Sequence, residues 1–183
     1  MVKFFLMVLL VIPSLCRAQI ENNSVLRKGL LRTQGTFSFG SLLDIKETGI
    51  YLNGNLEYYI NQKISGRGDL YYHLKSTDNS LLKINHQLFS GGSYHINLGK
   101  EFDPYIGLQP GIALTQHSFY DRTTNLTPLL SSLIGFNYYA ENWFHLFFDI
   151  RYVYGIHSPN HINEINISEI RLSFGLGFNL NTK

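Results

Sequence analysis

His157 and Ser158, with Glu164 and Glu169 downstream, are the residue types here best suited to covalent chemistry. An imidazole beside a hydroxyl, with a carboxylate to orient it, is how a serine becomes nucleophilic. The spacing works against that use, because adjacent residues of an extended chain point to opposite sides. His73, His117, His157 and His161 all fall at or near segments read below as outward loops. Only His157 and His161 share a regular spacing, and a separation of four gathers ligands on a helix rather than in a loop. No metal site is predicted. The glycine-rich stretches 90–93 and 175–177 are not phosphate cradles, since neither opens a helix with a lysine. No cofactor is expected from these residues, and no catalytic residue is assigned.

The elements that would position any site begin after an export signal. Lys3 supplies a positive start, residues 4–12 an apolar core ended by Pro13, and Cys16-Arg17-Ala18 a cleavage site before Gln19. Nine apolar residues are too few for a spanning helix, which needs about 18 or more. Cys16 is the only cysteine, so the mature chain is expected to carry no thiol, disulfide or cysteine-bound metal. Residues 1–18 are therefore read as a signal peptide, 19–31 as a periplasmic N-terminal segment and 32–183 as one domain. The net charge is +2, with Lys and Arg scattered, so nothing argues for a nucleic-acid partner.

Period-two alternation is the strongest signal. In 50–60 the even residues Ile50, Leu52, Leu56, Tyr58 and Ile60 oppose Asn53, Asn55 and Glu57 on the odd face. Residues 64–73, 144–154 and the final segment through Leu180 repeat the pattern, the last with Leu172, Phe174, Leu176, Phe178 and Leu180 on one face. Four further segments, 32–40, 82–96, 102–116 and 127–139, complete a count of eight. Pro110 is expected to mark a bulge, because a proline has no N–H to give a ladder. Such strands exceed the usual length of about five or six residues in globular sheets and match the 9–11 or so needed to cross a bilayer at a tilt.

Connections alternate between short (61–63, 97–101, 140–142) and longer polar ones (41–48, 74–81, 117–126, 156–164). Short periplasmic turns and longer outward loops mark outer-membrane barrels, and an even strand count puts both termini on the periplasmic side. Backbone in hydrocarbon must satisfy its own hydrogen bonds, so the sheet must close. The fold class predicted is all-β: a transmembrane, antiparallel, up-and-down barrel of eight strands whose lumen side chains can fill. Arg32, Glu57, Arg67, Asp69, Asp149, Arg151, Glu169 and Arg171 all fall on the polar parity, so they are assigned to a neutral lumen network. Turn lengths place Glu57 opposite Arg67, Arg151 opposite Glu169 and Asp149 opposite Arg171. Pairing offsets the cost of desolvating these charges. Tyrosines and Trp143 near the strand ends are expected to form two interfacial girdles: Tyr58, Tyr59, Tyr94, Tyr105, Tyr138 and Tyr139 at one, Tyr71, Tyr72, Tyr152 and Tyr154 at the other.

On the Ala18-Gln19 junction, the run Pro104-Tyr105-Ile106-Gly107-Leu108-Gln109-Pro110-Gly111 and the ending Leu172-Ser173-Phe174-Gly175-Leu176-Gly177-Phe178, the chain resembles a known group. These are the small eight-stranded, porin-like outer-membrane proteins of the OmpA transmembrane-domain, OmpX and OmpW type. The resemblance implies an outer-membrane location, contact with outer-membrane lipid and lipopolysaccharide, and assembly by the barrel-assembly machinery. That machinery would read a C-terminal signal carried by Phe174, Phe178 and Leu180. Members act as anchors, adhesion factors, narrow channels or lipid-modifying enzymes, so the fold does not fix the role. The lipid A deacylases among them carry His-x-Ser-Asn, where this chain has His157-Ser158-Pro159-Asn160. The leading expectation is a non-enzymatic structural or accessory subunit of a larger outer-membrane complex, or a surface-interaction protein. The alternatives are an OmpW-like conduit for small or apolar solutes and a lipid A deacylase.

Overall fold

The structure is a computed structural model that describes residues 25–44, 47–76, 82–96, 101–118, 124–157 and 165–181. The expected signal segment and its cleavage site lie outside the described residues. Among the described residues nine strands form: β1 (Leu30–Leu42), β2 (Thr48–Tyr59), β3 (Ile64–Ser76), β4 (Leu82–His95), β5 (Phe102–His117), β6 (Asn125–Glu141), β7 (Phe144–His157), β8 (Ile165–Asn166) and β9 (Glu169–Asn181). β8 is a two-residue extension of the last hairpin. The other eight form a closed antiparallel ring in which every strand pairs with its sequence neighbours and β1 pairs with β9. The all-β, eight-stranded, up-and-down barrel read from the sequence is the fold observed.

Alternation of side chains causes the closed form to turn its apolar face outward. Along β2 every second residue is buried, from Gly49 to Tyr59, while Ile50, Leu52, Leu56 and Tyr58 are exposed. Phe174 is 60% exposed, and Leu108, Leu126 and Ile134 about as much, whereas Arg32, Arg151 and Arg171 are fully buried. A water-soluble barrel would have the reverse arrangement, since charged residues are almost never fully buried unless paired. This wall is built for hydrocarbon.

Inward glycines let the lumen hold such large groups. Gly111 faces Phe89: a Cβ at Gly111 would lie 2.6 Å from the Leu88 carbonyl oxygen and closer still to the Phe89 ring. Gly111→Val is expected to destabilise the barrel by about 1–3 kcal/mol through overpacking, read as a lower urea midpoint in a detergent refolding titration.

Three expectations need correction. Pro110 forms no bulge: it pairs with Leu130 in register, and the β4–β5 register is the same on both sides of it. The ladder merely has no bridge there, so the missing N–H is absorbed without an extra residue. The last hairpin is offset by two residues: Arg151 lies opposite Arg171, Asp149 opposite Ser173 and Val153 opposite Glu169. Pairing continues beyond Tyr154 through Ile156 with Asn166 and His157 with Ile165. A two-residue offset leaves every side chain on its original face, so alternation cannot detect it. The girdles are also thinner than expected. Tyr58, Tyr94, Trp143, Tyr72, Tyr152 and Tyr154 face outward, but Tyr59, Tyr71, Tyr105 and Tyr139 have the other parity and are buried in the lumen.

Candidate functional site

The lumen is the most elaborated part of the molecule, and it is layered. At the end carrying the short turns, Val25, Leu26 and Leu30 pack with Tyr59 and Tyr139 as an apolar floor. The entering chain reaches this position through Gly29, whose φ of 83° suits glycine, and whose N–H donates to the Tyr59 carbonyl at 2.9 Å. At the end carrying the long connections, Leu42, Leu82, Phe89, Ala113, Leu129, Val153 and Ile167 form an apolar roof with the rings of Tyr51 and Tyr71.

Three polar networks lie between floor and roof. In the lowest, Arg32 pairs with Glu57 and donates to Tyr139 Oη at 2.8 Å, with Asp103 3.4 Å away. His95 spans the same layer: its Nε2 is 3.0 Å from Glu57 Oε1 and its Nδ1 3.0 Å from Asp103 Oδ1. Asn137 and Tyr59 also donate to Asp103, at 3.0 and 3.2 Å. In the middle network Arg67 clasps Asp69 at 2.9 Å and reaches Asp149 at 3.2 Å, while Arg151 lies 3.0 Å from Asp69. Gln109 joins both sides, accepting from Arg151 at 2.6 Å and donating to Asp69 at 2.8 Å. In the upper network Arg171 pairs with Glu169, which also accepts from Gln87 at 2.8 Å and Tyr51 Oη at 3.0 Å. The Arg171 guanidinium sits between the Tyr51 and Tyr71 rings, 4.0 and 4.1 Å from their centroids.

All eight charges assigned to the lumen are buried there, but the partners differ from those read by register. Glu57 does lie opposite Arg67 in the ladder, yet its ion pair is with Arg32, its partner on the other side. Arg151 and Arg171, like charges directly opposite, would repel; each is held by its own carboxylate and by aromatic faces. Counting alternation along β4 and β5 would have revealed His95 and Asp103, which share the inward parity of their strands. The described lumen therefore holds Asp103 beyond the balanced set of eight, with His95 between two of its carboxylates.

The serine-type chemistry finds little support at His157. Its Nδ1 lies 2.8 Å from Thr115 Oγ1 and 3.2 Å from Thr127 Oγ1, and the residue is buried. Glu169 is committed to Arg171, Gln87 and Tyr51. Ser158, Asn160, His161 and Glu164 lie outside the described residues, as does the side chain of His117. Phe174, Phe178 and Leu180 all face outward, Phe178 stacking on Trp143 with ring centroids 6.1 Å apart.

No protein-family profile matches the chain, and no curated protein matches it in sequence. Solved structures do match. Neisserial surface protein A aligns with TM-score 0.63 and 15% identity over 81% of this chain and 95% of its own. The outer membrane protein OprG from Pseudomonas aeruginosa aligns at 0.63 with 13% identity, over 87% and 100%. Ail, the attachment invasion locus protein of Yersinia pestis, aligns at 0.58 with 13% identity, over 84% and 99%. At this identity the likeness is one of fold: the chain has the fold of the small outer-membrane β-barrels.

Proposed function

We propose that this chain is an integral outer-membrane protein, with both termini periplasmic and a lumen plugged by side chains, that works without catalysing a reaction. It serves as a structural or accessory subunit of an outer-membrane assembly, or as a surface-interaction protein, through its outer wall and its loops. The observation that carries this is what fills the lumen: four buried arginines, each paired with a carboxylate, between an apolar floor and an apolar roof. Such a lumen leaves the outside of the barrel as the working surface. Lipid and lipopolysaccharide are its surroundings, and the barrel-assembly machinery inserts it through the signal at Phe174, Phe178 and Leu180.

Two measurements test this. In a planar bilayer the purified barrel should show no stable large single-channel conductance; a steady large conductance would refute the plug. With the C-terminus tagged and native outer membranes solubilised in mild detergent, a stoichiometric companion through size exclusion supports the accessory role. A lone barrel shifts the role to the loops.

A further inference from the structure

The β3–β4 ladder stops before its strands do. Pairing runs from Ile64 opposite Tyr94 to Tyr71 opposite Gln87, yet β3 continues to Ser76 and β4 begins at Leu82. Above that point each strand keeps its other neighbour. β3 stays on β2 through a register shift at Ile50/Tyr51, and β4 stays on β5 through one at Leu82/Ile84.

The next pair in register would set Tyr72 opposite His86 and then His73 opposite Asn85. Instead the His86 ring enters the seam: its Nδ1 accepts the His73 backbone N–H at 3.0 Å, and it stacks on Tyr72 with centroids 4.2 Å apart and planes 14° apart. A side chain thus supplies the bond that a backbone carbonyl would supply if the ladder continued. A carbonyl accepts at any pH. An imidazole nitrogen accepts only while it is unprotonated, and imidazoles titrate near neutrality.

We propose that His86 is a proton-operated latch on the outer end of the β3–β4 seam. The neutral ring holds the His73 amide and keeps the strands together; the imidazolium has no lone pair to offer, releases the amide, and lets the seam open upward from Tyr72. Eight paired residues measured from the short turn at 61–63 reach Tyr71, close to the 9–11 or so of a spanning strand, so the latch lies at the outer interface, within reach of water. The groups around it are few. Tyr72 and His73 face it from β3, with Lys75 further along that strand and Lys83 three residues back on β4; its partner on β5 is the apolar Leu114. Among the described residues no carboxylate bonds to His86. The His73 ring hydrogen-bonds Ser76 at 2.8 Å and feels Glu47, Glu169, Arg171 and His86 itself, so His73 is the other group whose titration must be separated.

The test is amide hydrogen exchange, resolved by NMR on the full barrel in nanodiscs and expressed as protection relative to the intrinsic rate at each pH. Protection of the His73 amide should fall about tenfold between pH 8 and pH 5, the loss of one hydrogen bond, while amides of 65–71 keep theirs. His86→Gln, whose amide oxygen accepts at every pH, should remove the pH dependence and keep the protection. His86→Phe, which keeps the stack and loses the acceptor, should leave the amide unprotected at both pH values. His73→Gln should leave the transition in place. A flat wild-type profile overturns the proposal, as does a transition that survives His86→Gln or vanishes in His73→Gln. If the Phe variant fails to refold, the Gln arms decide.

Discussion

Arg171→Met is expected to lower the unfolding free energy by about 3–5 kcal/mol, because it leaves a buried carboxylate without its cation. Arg171 is fully buried and paired with Glu169, whose remaining donors are Gln87 at 2.8 Å and Tyr51 at 3.0 Å. Methionine suits the vacated slot between the Tyr51 and Tyr71 rings, since a thioether packs well on aromatic faces. The loss should therefore come from the stranded charge rather than from a cavity. Adding Glu169→Gln should recover most of it, because a neutral amide still hydrogen-bonds to its neighbours and no longer needs a counter-ion. Urea titrations of refolding in detergent, run on the single variants and the double, give the coupling directly. If the double variant is no more stable than Arg171→Met, the stranded carboxylate is not the cause.

His95→Phe should have a comparable cost, at the other end of the lumen and for a related reason. Both ring nitrogens of His95 lie 3.0 Å from carboxylates, Glu57 on one side and Asp103 on the other. Phenylalanine keeps the packing against Tyr59, whose ring centroid is 4.6 Å away, and removes both contacts at once. Arg32 and Ser65 still hold Glu57, and Arg32, Asn137 and the two floor tyrosines still hold Asp103. The layer is then left with two carboxylates and one guanidinium. A loss of about 3 kcal/mol or more is expected, with unfolding monitored by tryptophan emission from Trp143 or by the heat-dependent gel shift of folded barrels. His95→Gln, which can donate to one carboxylate, should fall between Phe and wild type. Equal stability of all three would show that the floor network is held without the imidazole.

Both predictions share a logic that runs through the molecule. A barrel wall one backbone thick separates hydrocarbon from a lumen in which these charges are buried, so each inward charge needs protein partners. The upper and lower networks answer this in different ways: Arg171 and Glu169 are two residues apart on one strand, whereas Arg32, Glu57, His95 and Asp103 are drawn from four strands. Removing a member of the lower network should therefore also loosen closure of the ring, while the upper pair acts more locally.

Taken alone, the sequence determined the faces. Strict alternation at Ile50 to Ile60 or Leu172 to Leu180 states which side chains share a surface, since the strand period is two whatever the strand pairs with. Together with strand lengths near a bilayer crossing and alternating connections, that was enough for eight strands, a closed sheet, an apolar outer wall and an inward position for eight charged residues. Which residues meet depends on how the strands pair in space. Alternation is blind to a shift of two, so the offset that sets Arg151 against Arg171 leaves no trace in the hydrophobic pattern. Lumen partners are chosen across the barrel as well as along the ladder: Arg67 meets Asp149 from a strand with which its own is not paired. Tyr59, Tyr71, Tyr105 and Tyr139 went inward because parity, set by the rest of the strand, outweighs the preference of a single tyrosine for an interface. The open end of the β3–β4 seam and the ring of His86 within it have no local sequence signal at all, because they depend on where two other ladders shift register.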